Sequence, residues 1–401
     1  MDQARKINDI YRGQKPDVEA KVNVISKSQS REIRHSLIFM GTSIALIVYL
    51  SSVMGISNFV STIMETAYRL LMETALYILA IAVFMGSIGN LLSEFHVVWI
   101  LNKILSPLMR PIYNLPGAAF VGVTTTYLSD NPAIIALSND KHFLKHFKRQ
   151  EIPCLCNLGT SFGMGLILTT FMMGLGFFRE ALIGNVGAVI GSIVSVRMMA
   201  HLIKKSGYFA NFPVEKEIDE TLRSSSLEST DSYFVRFMTS MLEGGKNGLK
   251  MGIAIIPGLI FVCTFIMILT FGPVDPSIGY QGLAYEGTQL LPKLGSVFSP
   301  ILTPLFGFTS AEAIAFPVTS LGAVGAALSL IPSFLERGLI GGNDIAVFTA
   351  MGMCWSGYLS THVGMMDAIG HRKLISSALI SHTIGGLIAG ISAHFIYLLL
   401  A

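Results

Sequence analysis

Two short polar runs interrupt an otherwise apolar chain. The first, Ser129-Asp130-Asn131-Pro132, sets a hydroxyl, a carboxylate and an amide side by side, just after Thr124-Thr125-Thr126. The second, Thr309-Ser310-Ala311-Glu312, sets two hydroxyls ahead of another acid. Groups of this kind exchange hydrogen bonds with a small solute or hold a cation. The chain offers no paired nucleophile and base and no glycine-rich phosphate loop, so an enzyme is not expected. Asp130 and Asn131 read in two ways: as pocket ligands at membrane depth, or as a solvated loop with an Asx turn. Glu312 also reads in two ways. It is either a carboxylate matched by a proton, cation or solute, or a helix-start acid favoured by the dipole with Thr309 or Ser310 as cap.

The setting of these runs is a membrane. Apolar residues make up 52% of the chain and charged residues 13%, about half the charged share of a soluble domain. Runs of about 20 apolar residues span a bilayer core. Seven such spans are expected near 37–60, 70–92, 152–175, 183–203, 251–271, 345–366 and 374–400. They do not alternate apolar with polar residues, which excludes a barrel. Lys and Arg crowd the N-terminal tail, the segment 103–149 and the linker 204–250, and the remaining loops are nearly bare. The positive-inside rule then puts the N-terminus in the cytoplasm and the C-terminus outside, in a plasma (cytoplasmic) membrane. The first apolar run follows a long polar tail, so it reads as a span and not a cleavable signal. Four cysteines lie in or beside spans and suggest no disulfide framework. The basic residues are explained by topology, so no nucleic-acid partner is expected.

The second half repeats the layout of the first at an offset of 193 residues, pairing Ser106-Pro107 with Ser299-Pro300, Glu151 with Asp344 and Arg179 with Arg372. The organisation expected is a tail at 1–35, an extra first helix at 36–66, one repeat at 68–205, a cytoplasmic linker at 206–247 and a second repeat at 248–401. Each repeat has a full span, an amphipathic stretch (93–113; 288–306), a broken segment (116–137; 309–334) and two closing spans. Pro, Gly and hydroxyl residues in the broken segments predict re-entrant hairpins that enter and leave on one side. If each crossed once, 141–149 with its cations would lie outside. The fold class expected is therefore an all-α polytopic membrane protein of two inverted repeats, each with a re-entrant helical hairpin, with a site where the repeats meet.

The spans behind the hairpins add polar atoms. With Thr126, Ser129, Asp130, Asn131, Ser310 and Glu312, the candidate solute ligands are Asn157, Ser161, Ser356 and Thr361. A transmembrane hydroxyl often only bonds its own helix or a neighbour, and that reading stands beside the ligand one. Glu312, His362 and Asp367 are the candidates for carrying a coupling ion, H+ or Na+; no other cofactor is expected. Cys154, Cys156 and Cys354 with nearby methionines raise a divalent-metal permease as an alternative, but Cys-X-Cys alone is a poor metal signature, and no metal site is assigned.

The stretches 106–130 with 157–176, and 299–319 with 352–370, resemble the Gate-domain, or nucleoside-recognition-domain, membrane proteins of the YjiH-like type. These are distantly similar to concentrative nucleoside transporters. The resemblance implies a two-repeat transporter with opposed hairpins. In concentrative nucleoside transporters the first hairpin binds ligand through a Gln/Thr-Glu dipeptide; this sequence has Ser129-Asp130-Asn131 there, and carries Glu312 in the second hairpin. The function expected is secondary-active transport of a small polar solute, a nucleoside or related metabolite, by a bilayer-embedded protein open to homo-oligomerisation. A metal permease and a non-transporting scaffold or sensor are the alternatives.

Overall fold

A computed structural model describes residues 31–210 and 232–401. The tail before residue 31 and the linker between 211 and 231 lie outside the described residues. Among those described, the chain is almost wholly helical, with six helices long and apolar enough to cross a membrane and one sharply bent helix pair, Leu290–Phe306 with Ala311–Gly322, of the kind a re-entrant loop makes.

Two compact units divide at Val60. In the first, α1 (Arg31–Met54) exposes apolar side chains such as Phe39 and Val48 along most of its length, as a lipid-facing helix does. It stops at Gly55, whose φ is +80°. The chain then runs as one helical stretch of 39 residues, Ile56–Glu94. Its parts are α2 (Ile56–Arg69), a π-turn (Leu70–Ala75) and α3 (Leu76–Glu94). At 1.5 Å per residue that is about 58 Å, nearly twice a bilayer core. The sequence reading began this span at 70. The helix starts earlier because nothing after Gly55 breaks it, and α2 is amphipathic with an i,i+4 pair between Glu65 and Arg69 at 3.4 Å.

Next come α4 (Val97–Leu105), α5 (Met109–Tyr113), the hairpin arms α6 (Ala119–Leu128) and α7 (Pro132–Asn139), and the short α8 (Lys141–Leu144). The following span is split into α9 (Cys154–Thr160) and α10 (Gly165–Gly174), and α11 (Phe178–Ser206) closes the first repeat. The second repeat opens with α12 (Tyr233–Thr270) and α13 (Leu290–Phe306). A 3-10 turn (Ala311–Ile314) then leads into the second hairpin, α14 (Ala315–Gly322), α15 (Val324–Leu328) and α16 (Leu330–Glu336). Its first arm turns 81° from α13. A split span, α17 (Gly342–Trp355) and α18 (Tyr358–Ala368), and finally α19 (Ile375–Leu400) complete the chain. Three crossings, α9–α10, α11 and α12, separate the two hairpins, so the copies run in opposite senses.

The duplication is sharper in the backbone than in the residues. His96 and Gln289, Asn114 and Gly307, and Met164 and Gly357 are three pairs 193 apart, and all six have φ between 53° and 64°. Left-handed backbone is costly for residues other than glycine, so its recurrence in register marks the same turn in both copies. The acids at the base of the hairpins correspond too. Glu151 accepts the Lys148 amide at 2.8 Å, and its copy Asp344 accepts the Gly341 amide at 2.9 Å, three residues back in each case. Each acid also ties down the approach to its hairpin. Arg110 reaches Glu151 at 2.7 Å, and the Thr309 amide and hydroxyl donate to Asp344 at 3.1 and 2.5 Å.

Two close crossings hold the frame. α11 and α19, copies of one another, pack along small residues: a β-carbon on Gly187 would lie 2.7 Å from the Ala389 carbonyl oxygen, and one on Gly385 2.8 Å from that of Gly191. α3 and α12 cross at glycines as well, with the Gly244 carbonyl 2.6 Å from where a Gly86 β-carbon would be. Such contacts maximise dispersion between helices in lipid, where no hydrophobic drive joins them. The copies part between α12 and α13. The connection there is 271–289, and it wraps the fully buried Glu286, which accepts amides of Gln281, Gly282 and Leu283 at 2.8–3.2 Å.

Asn114 is exposed at its left-handed position, whereas at Gly307 a β-carbon would lie 2.5 Å from His394 Nδ1. Asn114→Gly is expected to change unfolding stability in detergent by less than about 0.5 kcal/mol, and Asn114→Val to cost about 1–2 kcal/mol. Gly307→Ala is expected to cost at least as much as Asn114→Val. An Asn114→Val protein as stable as the parent would contradict the left-handed turn.

Candidate functional site

The first hairpin turns at Ser129-Asp130-Asn131. α6 ends with Ser129 back-bonded to the Thr125 carbonyl at 2.6 Å, and Pro132 at the start of α7 removes an amide that would otherwise lack a partner. Tyr127 anchors the arm: its hydroxyl donates to Asn185 Oδ1 at 3.0 Å, and its ring fills the space where Gly165 has no side chain. Asn185 in turn donates to Thr169 at 2.8 Å, so α6, α10 and α11 share one polar tie.

Two further interruptions close on this turn. One is the break between α9 and α10, at 161–164; the other is the Ser356-Gly357 break between α17 and α18. Asn131 lies between them, 5% exposed, with Nδ2 donating to Ser356 Oγ at 3.0 Å and to Asp130 Oδ1 at 3.0 Å. It fits because Gly163 and Gly357 carry no β-carbon; one at either would sit 2.5 Å from the Asn131 amide nitrogen. Gly357 also abuts the buried Thr361 hydroxyl. The Asn131 Oδ1 is buried and accepts no hydrogen bond among the described residues. The backbone amides of Asn131 and Met164 approach the Asp130 carboxylate, which makes no ion pair among the described residues. A small cavity of about 10 Å³ lies against Asp130 and Met164. A cleft of about 290 Å³ lies beside it, lined by Thr125, Ser129, Asn90, Ser93 and Asn247 among others.

Of the residues picked out from sequence, Ser129, Asp130, Asn131, Ser356 and Thr361 thus come together. Thr126 lies next door but is fully buried and bonded to the Gly122 carbonyl at 2.6 Å. Ser161 bonds the Asn157 carbonyl at 2.7 Å and lies beside the Cys354 thiol, its own copy at the 193 offset, which places both near the axis relating the repeats. Asn157 points away from the hairpin turn and ties helices together, donating to Ser195 at 3.0 Å, Ser381 at 2.8 Å and the Ala378 carbonyl at 3.2 Å.

The coupling candidates lie apart from one another. Glu312 is half-buried on the 3-10 turn after α13 and makes no ion pair among the described residues. Its neighbour Ser310 has a buried hydroxyl without a partner. The two hairpin turns do approach a common wall, since Ile255 of α12 lines the Asp130 cavity and also faces Gly325 of the second hairpin. His362 is fully buried, bonded through Nδ1 to the Tyr358 carbonyl, with its ring centroid 4.6 Å from that of His382. Asp367 is 60% exposed and 3.6 Å from Arg372, an interfacial pair. The four cysteines are free and buried, and no group of three or more His, Cys, Asp or Glu among the described residues is placed to hold a metal.

The sequence reading missed several residues. His382 is fully buried between Ser195 Oγ at 3.0 Å and the Cys354 carbonyl. Nothing in an apolar run marks which histidine is enclosed. Tyr127, Asn185 and the cleft residues Asn90 and Asn247 were likewise unremarkable in sequence. Gly163 and Gly357, 1 and 0 residues from a left-handed position, were the available signal for the break, because glycine there admits the Asn131 side chain.

Neither a protein-family model nor a curated protein matches this sequence. Solved structures do match in fold. The concentrative nucleoside transporter CNTnw in an inward-facing substrate-bound state superposes with a TM-score of 0.51 at 14% identity, covering 90% of this chain and 86% of that one. A doubly substituted CNTnw in an outward-facing state gives 0.50 at 15% identity, covering 90% and 85%. The chain therefore has the CNTnw fold across nearly its whole length.

The Asn131–Ser356 hydrogen bond links the first hairpin directly to the second repeat. A double-mutant cycle of Asn131→Ala and Ser356→Ala on unfolding stability is expected to give a coupling of about 1 kcal/mol. Purely additive effects would mean the two side chains do not meet.

Proposed function

We propose that this protein is a secondary-active transporter of a small polar solute, a nucleoside or related metabolite, with the two hairpins as opposed gates. The observation that carries this is the meeting of three backbone breaks around Asp130 and Asn131. Each break leaves amides and carbonyls outside regular helix, and beside them stand a carboxylate, an amide and the hydroxyls of Ser129, Ser356 and Thr361. Such a set suits the hydroxyls and ring nitrogens of a nucleoside-like molecule. The buried, unpaired Asn131 Oδ1 adds an acceptor for a solute N–H or O–H, or for a coupling Na+. The likeness to CNTnw supports the reading at the level of fold, and the Gate-domain resemblance adds to it. Charge distribution supports a cytoplasmic N-terminus and an external C-terminus.

The site is not symmetric in this reading. Asp130 and Asn131 are the principal ligands, helped by Ser129, Ser356 and Thr361. Glu312 and His362 are candidates for the coupling proton or cation, each at some remove from the turn. Thr126, Asn157 and Ser161 shape the site through the helices they join.

Purified protein in liposomes is expected to accumulate a labelled nucleoside when an inward Na+ or proton gradient is imposed, and to lose accumulation with an ionophore. Asp130→Ala and Asn131→Ala should each lower uptake about 10- to 100-fold, as the loss of charged or paired hydrogen bonds would. Glu312→Ala should alter the gradient dependence more than the solute affinity. Full uptake by folded Asp130→Ala and Asn131→Ala proteins would sink the site assignment.

A further inference from the structure

The cleft and the small cavity at the first hairpin share a wall. The cleft, about 290 Å³, lies between α3, α12 and the hairpin, near the lower limit of the roughly 300–1,000 Å³ usual for small-molecule sites. The cavity beneath it, about 10 Å³, has room for about one water and reaches Asp130. Met251 lines both.

The backbone that carries Met251 is pinned. On one side Gly248 packs directly on the α3 backbone at Ala82 and Val83; on the other, Gly252 packs on Leu79, with the Leu79 α-carbon 3.0 Å from where its β-carbon would be. This close backbone packing on both sides holds the helix against α3, which leaves the Met251 side chain as the part free to turn. A thioether with three rotatable bonds suits that role. Charge is one-sided as well. No Lys or Arg lines either space, and Asp130 makes no ion pair among the described residues.

We propose that Met251 is a gate between the cleft and the Asp130 cavity, and that the space it opens admits neutral or cationic small solutes and rejects anions. Rotation of its thioether joins the two volumes. An anion entering would face an uncompensated carboxylate in a poorly solvated site, where like-charge repulsion is strong. The cleft adjoins Asn247 in the half of α12 that follows the linker, so the path opens on the side that the charge distribution places in the cytoplasm. The solute assignment rests on the transport reading; the gate itself does not.

The test is thiol accessibility and requires no substrate. Ala82→Cys places a reporter in the cavity wall and Asn247→Cys one in the cleft; the unsubstituted protein, whose four cysteines are buried, supplies the background. Each is treated in membrane vesicles, from either side, with a trimethylammonium or a sulfonate methanethiosulfonate of similar size. Ala82→Cys is expected to react slowly from the cytoplasmic face, at least tenfold faster with Met251→Ala, and more slowly with Met251→Phe. With the gate opened, the cation should react at least tenfold faster than the sulfonate at Ala82→Cys, after normalising each reagent to its rate at Asn247→Cys. Asp130→Asn should remove that preference. Asn247→Cys should react equally in all backgrounds, which also reports folding. If Met251→Ala does not fold, Met251→Leu, shorter and stiffer, serves in its place with a change of at least threefold. Equal Ala82→Cys rates across the Met251 variants, labelling from the outer face alone, or no charge preference would overturn the proposal. Failure of nucleoside uptake with these labelling results intact would instead count against the transport reading alone.

Discussion

A helix broken inside a bilayer leaves amides and carbonyls that lipid cannot satisfy, at a cost of several kcal/mol per group. Every interruption must therefore be enclosed by protein, and this constraint accounts for most of the architecture. The α9–α10 span is 89% buried, against 28–44% for the other spans of the same unit, because it carries a break and cannot face lipid. α17 is enclosed in the same way, with every residue from Asp344 to Trp355 buried, whereas α18 buries Thr361, His362, Met365 and Met366 and exposes Leu359. The hairpin turns have the same need. The cheapest solution is to put the interruptions against one another, so that a single protein jacket of α3, α11, α12 and α19 covers them all. A polar pocket inside the helix bundle follows from that economy before any ligand is considered.

Duplication makes the solution available twice. The left-handed turns at His96, Asn114 and Met164 recur at Gln289, Gly307 and Gly357 although only the backbone is kept. Each such turn stops a helix or starts one at a place set by the frame, and the identity of the residue is secondary when its neighbours over-determine the conformation. The paired carboxylates of Glu151 and Asp344 act likewise: each caps the turn behind it and anchors the approach to its hairpin, but one recruits Arg110 and the other Thr309. Geometry is conserved between the halves where packing demands it, and chemistry drifts where packing does not.

That distinction also sets what could be read from sequence. The hairpins were legible because Pro116 and Pro132 with clustered hydroxyls mark helix starts by local chemistry, although Pro317 lies in the first turn of α14 and interrupts nothing. The long α2–α3 helix was not legible, because its continuity before residue 70 depends on the absence of a break through the amphipathic α2, which no apolar count detects. Asn157 has a side-chain type that suits a solute ligand. Its direction is decided by where Ser195, Ser381 and Ala378 arrive from α11 and α19, over 38 and 221–224 residues of separation. His382 and Met251 were invisible for the same reason: enclosure is a property of neighbours remote in sequence. The candidate residues that the structure does bring together at the first turn, Ser129 to Asn131, sit where local turn chemistry and tertiary placement coincide.

The halves differ most at the point where they would matter most for a solute. Asp130 occupies the turn of the first hairpin, and the corresponding residue of the second is Ala323, whose β-carbon lies 3.9 Å from where Gly258 would carry one. A symmetric frame thus carries one carboxylate at its two turns, and the other hairpin acid, Glu312, stands back on a 3-10 turn. An ionised carboxylate cannot stay in a closed, largely apolar cavity without a counter-charge; a proton, a cation or a cationic solute must accompany it whenever the surrounding space shuts. On the transport reading, closure and ion occupancy would then be linked by electrostatics, with no need for a separate sensing element. On that reading, this single unmatched charge is what would tie movement of the gate to the presence of a coupling ion, and it explains how a duplicated frame can work with an unduplicated site.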